Sequence, residues 1–127
     1  FGEDTGRAAA IKLAGNLFLI AFTSGISDML SLAKSTGTPV SDIMALFNEW
    51  NPGAALPARL RRMASGVYDS PSWELAMARK DAGLMMAEAD KANRPLTVIP
   101  AAAAVMDKLI AEGLGYADWS VIAKDNL

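Results

Sequence analysis

The sequence predicts an all-α fold, a multi-helix bundle arranged around one long central helix. Three observations carry that expectation. The chain runs from Arg7 to Lys34 without a proline, and its apolar residues there follow a helical period. No run of alternating polar and apolar residues is long enough to make a useful strand. Glycine, proline and cap residues divide the remainder into segments of ordinary helical length.

Taken in order, the first helix spans Arg7 to Lys34, with Ile11, Leu13, Leu17, Phe18, Ile20, Ala21 and Phe22 projecting on every side. A helix apolar all round is expected to be buried. Unbroken, it would be about 40 Å long, enough to cross a domain. Gly37 is placed to end it. Ser41 and Asp42 offer caps for a second helix, Ile43 to Trp50, which stops before Asn51-Pro52-Gly53. A third is expected over Ala54 to Ala64. Gly66 to Ser72 reads as a connector, with Ser70 and Ser72 as alternative caps of a fourth helix that runs to about Asn93 and stops at Pro95. Thr97 is the expected cap of a fifth, which tolerates Pro100 in its first turn and ends at Gly113. Gly113 to Tyr116 makes a turn, and Asp118 caps a short terminal helix, Trp119 to Lys124.

Composition narrows the chemistry. The 127 residues suit a single domain, and no internal repeat divides them. The chain is 52% hydrophobic and 20% charged, apolar enough that part of its surface is expected to meet a partner. A net charge of −2, with the basic residues scattered, gives no footprint for nucleic acid. Cysteine and histidine are both absent, which removes disulfides, thiolate nucleophiles, most zinc sites and imidazole catalysis. No metal site is expected. The longest apolar stretches, Leu17 to Phe22 and Leu96 to Met106, fall short of the ~20 residues of a membrane span. With no signal-peptide pattern, the expected compartment is the cytoplasm.

Acid–base work is therefore left to Lys, Tyr, Asp or Glu. Lys12 and Asn16 lie one turn apart on the first helix, and Thr23 and Ser27 continue their face, a thin polar stripe on an apolar helix. On periodicity alone, Lys12 reads first as a lysine whose ammonium reaches solvent, with Asn16 bonded to a neighbouring loop. The functional alternative is a polar site along the helix. Lys80 shares a row with Trp73, Ala76, Met77, Leu84 and Ala87. It is paired to Glu74, Asp81 or Glu88, or lays its stem over apolar surface with the ammonium in water, or is a cation at the mouth of a site. Arg59, Arg61 and Arg62 read as a solvated helix face more readily than as an anion site, and the seven methionines as core filler. Gly113-Leu114-Gly115 follows no strand, so it is no dinucleotide loop.

Three blocks in order resemble the C-terminal domain of the β-hydroxyacid dehydrogenase family, the 3-hydroxyisobutyrate dehydrogenase-like branch of the 6-phosphogluconate dehydrogenase superfamily. They are Gly6 to Asn16 with its Lys12 and Asn16, Trp73 to Asp81 with its Lys80-Asp81 pair, and Gly113-Leu114-Gly115-Tyr116-Ala117-Asp118-Trp119-Ser120. The resemblance implies that Lys12 is the catalytic acid–base, that Asn16 binds substrate and that Lys80 reaches the cofactor, NAD or NADP. This chain departs from the family pattern at Asp28, usually glutamate, at Gly15, usually asparagine, and at Trp73, usually phenylalanine.

The resemblance also implies a division of labour. Residues 1–127 would be one helical substrate and dimerisation domain, and the family's N-terminal Rossmann domain, which holds most of the cofactor, would lie before Phe1. The expected partners are a small hydroxy-acid substrate, that Rossmann domain and a second subunit, with no nucleic acid and no membrane. The expected activity is oxidation of a 3-hydroxy acid in the complete protein, with the isolated chain inactive. An imine reductase-like domain and a non-catalytic helical interaction module are the competing expectations, since a helical fold is common to all of them.

Overall fold

The computed structural model describes residues 5–127; Phe1, where the sequence places the join to a preceding domain, lies outside the described residues. Five α-helices form: α1 (Thr5–Ser35), α2 (Val40–Glu49), α3 (Leu56–Ser65), α4 (Leu75–Lys91) and α5 (Val98–Ala111). Short 3-10 segments cover Pro52–Ala55 and Trp119–Asn126, and no strand forms among the described residues. The predicted all-α class is the observed one.

The helix ends set by local chemistry fall where the sequence puts them. Gly37 adopts φ +70 just past α1, while Thr38 N–H bonds Ala33 O at 2.8 Å and Gly37 N–H bonds Lys34 O at 3.2 Å. This pair of bonds satisfies carbonyls that the helix end would otherwise leave open. Gly113 (φ +89) ends α5 in the same manner, with Leu114 N–H on Leu109 O. Asn93, at φ +53, takes the glycine's place after α4.

The helix starts differ from expectation. Ser41 and Asp42 do not cap α2. Pro39, fixed at φ −61 and ψ 143, is the cap residue, so Asp42 falls in the first turn, where a carboxylate favours the helix dipole. Neither Ser70 nor Ser72 caps α4; its first free N–H groups bond across space, Leu75 to Ala117 O and Ala76 to Gly115 O, both at 2.9 Å. The Thr97 side chain caps nothing. The α5 start is held instead by Asp28 of α1, whose carboxylate accepts from Thr97 N (2.8 Å), Val98 N (2.8 Å) and Ile99 N (3.1 Å).

That clasp fastens α1 to the bundle. Asp28→Ala leaves three N–H groups without an acceptor and is expected to lower stability by about 2 kcal/mol, the upper end for loss of a cap. Calorimetric melting checks it; an unchanged melting temperature would assign the α5 start to other contacts.

The core lies between α4, α5 and the terminal 3-10 segment, where Leu75, Ala78, Met106, Leu109 and Val121 are buried. Trp73, Trp119, Tyr68 and Ile110 pack around it. Of the methionines expected as filler, Met106 is buried, but Met44 and Met77 are exposed.

Only the C-terminal part of α1 joins this core. Asp28 and Ala33 are buried, whereas every residue from Thr5 to Thr23 is exposed. The helix is the long axis of the domain, yet its apolar half is not buried by its own chain. By length and composition α1 also meets the requirement for a membrane span, with a mean hydropathy of 1.6 over 18 residues. Counting uninterrupted apolar runs missed this, because Lys12 and Asn16 interrupt the run without lowering the average enough.

Candidate functional site

Lys12 and Asn16 share one face of α1, as their spacing requires, and both are exposed. None of the hydrogen bonds or ion pairs found among the described residues involves either side chain, and Asn16 does not bond a neighbouring loop. Lys80 stands exposed on α4, paired with none of Glu74, Asp81 and Glu88. Its row is an outer face of α4: Met77, Leu84 and Ala87 are exposed and Ala76 is half-buried. The chain does not join Lys12, Asn16 and Lys80 through any contact of their own.

The larger cavity is elsewhere. A groove of about 580 Å³ opens between the C-terminal part of α1 and the loop joining α4 to α5, lined by Ser27, Asp28, Lys34, Arg94 and Thr97 among others. It begins some 15 residues along α1 from Lys12, about 22 Å at the helical rise. Asp28 is already committed to the α5 N–H groups, so the groove has a cationic rim of Lys34 and Arg94 and no free acid.

The third sequence block proves to be structural. Asp118 is 1% exposed. Its Oδ1 accepts from Ser72 N and Ser72 Oγ, both at 2.9 Å, and its Oδ2 accepts from Ser120 N at 3.0 Å and from Ser120 Oγ. Arg62 Nη1 lies 3.6 Å away. Burial pushes this carboxyl up, but the hydrogen bonds from Ser120 and Ser72 outweigh burial and hold it well below the usual carboxylate range. Asp118 thus caps the terminal segment, as expected, and also ties it to the loop before α4. Gly115 completes the block: its carbonyl receives Ala76 N–H, and a Cβ there would lie 3.6 Å from that of Ala76.

The arginine cluster is not a uniform solvated face. Arg61 is exposed, but Arg59 stacks on the Trp119 ring, 4.4 Å from its centroid, and Arg62 donates to the carbonyls of Asp69 and Ser70. One Arg59 nitrogen, Nη1, is buried without a hydrogen-bond partner, and the ring face is the compensation its charge receives. Arg59 and Arg62 lie three residues apart on the inward side of α3, a spacing the sequence displays, although nothing in it names Trp119 or Asp118 as the partners. In the sequence Asp28 shows as an acid in an apolar helix and as a departure from the usual glutamate, and neither feature names the α5 start as its partner.

No protein-family model matches the chain. A curated relative, the mitochondrial 3-hydroxyisobutyrate dehydrogenase of Drosophila melanogaster, is 28% identical over an alignment 129 positions long that covers 92% of this chain and 38% of that protein. Among solved structures, a reductive aminase from Aspergillus terreus in complex with NADPH4, cyclohexanone and allyl amine superposes with a TM-score of 0.87 at 20% identity. It covers 100% of this chain and 46% of that one. The fold of this chain is therefore the helical fold of the part of that structure it covers. An imine reductase from Myxococcus stipitatus in complex with NADP+ has the same fold, with a TM-score of 0.87 at 19% identity over 98% of this chain and 45% of that one. The chain therefore spans less than half the length of the relatives it matches. Among the described residues no strand carries a phosphate loop, and neither the groove beside Asp28 nor a smaller cavity lined by Arg59, Arg62, Ser72 and Asp118 includes Lys12 or Lys80.

Proposed function

We propose that the chain is the substrate-side domain of an NAD(P)-dependent oxidoreductase that interconverts a small 3-hydroxy acid and its carbonyl form. The observation that carries the reading is the Lys12–Asn16 pair, held one turn apart on the exposed face of α1, in a chain related to 3-hydroxyisobutyrate dehydrogenase. The cofactor, NAD or NADP, supplies the hydride acceptor when bound by the domain that precedes this one in the parent protein.

The residues of this chain handle the proton. Lys12 Nζ removes the proton from the substrate hydroxyl and returns it in the reverse direction. Asn16, one turn on, donates to the substrate hydroxyl or carboxylate and fixes its orientation. Lys80 offers a cation to the cofactor at the edge of the same cleft. A lysine serves as a base near neutral pH only when burial or a neighbouring cation disfavours its ammonium form, since a free lysine titrates near about 10.4. Lys12 is exposed in this chain, so the surface that covers it belongs to another domain or another subunit.

The isolated 127-residue chain is accordingly expected to be inactive and to bind neither NAD(H) nor NADP(H). Titration calorimetry checks this, and tight binding would overturn the assignment of the cofactor to another domain. The imine reductase and reductive aminase folds motivate a second reading, reduction of a C=N bond. The parent protein, offered a panel of 3-hydroxy acids and a panel of carbonyl and amine pairs, decides between the two by which panel changes cofactor absorbance. Turnover of imines alone would remove the hydroxy-acid reading. The compartment belongs to the proposal as well: the cytoplasm is the reading from the sequence, and the Drosophila relative's name, mitochondrial, makes the organelle its rival.

A further inference from the structure

The groove beside Asp28 collects polar groups that the fold leaves without partners. Ser27, Ser31 and Lys34 line it at intervals of four and three residues, so they form one row along the last turns of α1. Arg94 and Thr97 line it from the loop before α5. Two of the hydroxyls stand where such groups ordinarily bond their own backbone. A helical serine commonly donates to the carbonyl four residues back, as Ser35 Oγ does to Ser31 O at 2.9 Å. Ser31 Oγ, half-buried, makes no such bond. Thr97 holds the cap position of α5, but Asp28 has already taken the N–H groups its hydroxyl would accept. Among the described residues neither hydroxyl has a hydrogen-bond partner, and nor does that of Ser27.

The charges are unbalanced in the same place. Elsewhere cations of this chain meet acids: Arg79 meets Asp107, Lys91 meets Glu88, and Lys108 and Lys124 both meet Asp125. Lys34 and Arg94 pair with no acid among the described residues, although the chain as a whole carries a net charge of −2. Asp28, the acid of the groove lining, has both oxygens bonded to N–H groups at the positive end of α5 and offers neither cation an acceptor. The last turn of α1 accounts for one cation, since the helix dipole favours Lys34 there. It accounts neither for a second cation on the same groove nor for the open hydroxyls between them.

We propose that this groove binds a phosphate monoester, with the phosphoryl group between Lys34 and Arg94 and the hydroxyls of Ser31 and Thr97 donating to its oxygens. A monoester carries a charge of about −1.5 to −2 at neutral pH, which matches two cations, and three acceptor oxygens, which use the hydroxyls as well. A carboxylate, with one charge and two oxygens, would leave part of this set unused. The volume of about 580 Å³ falls within the roughly 300–1,000 Å³ of small-molecule sites and exceeds what a phosphate group fills. The organic part of the ligand therefore lies against Leu30, Val40 and Pro95, the apolar portion of the lining. Lys12 is about 22 Å away along α1, so the site is separate from the proton-transfer pair and stands whether or not Lys12 moves a proton.

Titration calorimetry of the parent protein, saturated with its dinucleotide so that the cofactor's own phosphate contacts are filled, tests the site with phenyl phosphate as the probe. A dissociation constant on the order of 0.1 mM is expected, with inorganic phosphate and benzoate each about tenfold weaker because each lacks one half of the ligand. Lys34→Gln and Arg94→Gln are each expected to weaken phenyl phosphate about tenfold, the loss of one charge-assisted hydrogen bond. Ser31→Ala is expected to weaken it by a smaller factor, and Ser35→Ala to leave it unchanged, because the Ser35 hydroxyl is bonded to Ser31 O. Should a variant fail to fold, the wild-type protein supplies a second measurement. Phenyl phosphate is expected to slow acetylation of Lys34 by acetic anhydride in proportion to occupancy, read by mass spectrometry, while Lys108 and Lys124 keep their rates. Benzoate or inorganic phosphate binding as tightly as phenyl phosphate, binding undiminished in both cation variants, or a Lys34 that phenyl phosphate does not protect would each overturn the site. Turnover enters none of these readouts, so loss of the catalytic reading leaves the result intact.

Discussion

Replacing Lys12 with alanine in the parent protein is expected to lower kcat by about 10³-fold, within the range attributed to a positioned acid–base group. The Michaelis constant for the substrate and the affinity for the cofactor are expected to change little, because Lys12 acts on the hydroxyl proton and the cofactor is held elsewhere. Lys12→Arg keeps the charge but supplies a guanidinium that stays protonated, and it is expected to be as inactive as the alanine variant. A lysine serving only for solubility or packing would be replaced by arginine without loss. Steady-state kinetics at a series of pH values separates the cases: the ascending limb of the wild-type profile is expected to vanish in both variants. Turnover within tenfold of wild type in Lys12→Ala would sink the assignment.

The second large effect concerns stability. Asp118→Ala is expected to cost about 4 kcal/mol, since it removes the acceptor for the Ser72 and Ser120 groups and the counter-charge beside Arg62 at one buried point. The direction with pH follows from the lowered folded-state pKa of Asp118. Below the ordinary carboxylate range the unfolded chain takes up a proton at this side chain that the folded chain refuses. The contribution is therefore complete above about pH 5 and lost as pH falls through about 4 toward the folded value. Urea unfolding of wild type and Asp118→Asn from pH 7 down to about 2.5 measures it. The wild-type advantage is expected to narrow on the acid side; an advantage that stays constant across that range would show that Asp118 acts by shape and not by charge.

Both predictions bear on how the three sequence blocks divide. The first and second present exposed cations, Lys12 and Lys80, which the fold does not itself consume. The third is spent within the chain: Gly113 turns the backbone, the Gly115 carbonyl accepts from Ala76 N–H at the start of α4, and Asp118 with Ser120 closes the knot. A motif reading weights all three alike. Burial and hydrogen bonding separate the exposed cations Lys12 and Lys80 from the third block, which holds the domain together.

By itself the sequence determined the helical class, the number of main helices and most of their C-terminal ends. These depend on interactions within a few residues: the 3.6-residue apolar period, a left-handed residue at Gly37 or Gly113, and the conformational limits around Pro95. It also determined that Lys12 and Asn16 share a face, because helical geometry alone fixes that. The tertiary structure decided the helix starts, since the acceptors for the first N–H groups of α4 and α5 come from Ala117, Gly115 and Asp28, remote in sequence. It also decided what becomes of the long first helix. An apolar rod asks for burial whether its cover is its own chain or another, and periodicity does not distinguish the two. Only the placement of α2 and α3 shows that this chain leaves the N-terminal half of α1 for something else to cover.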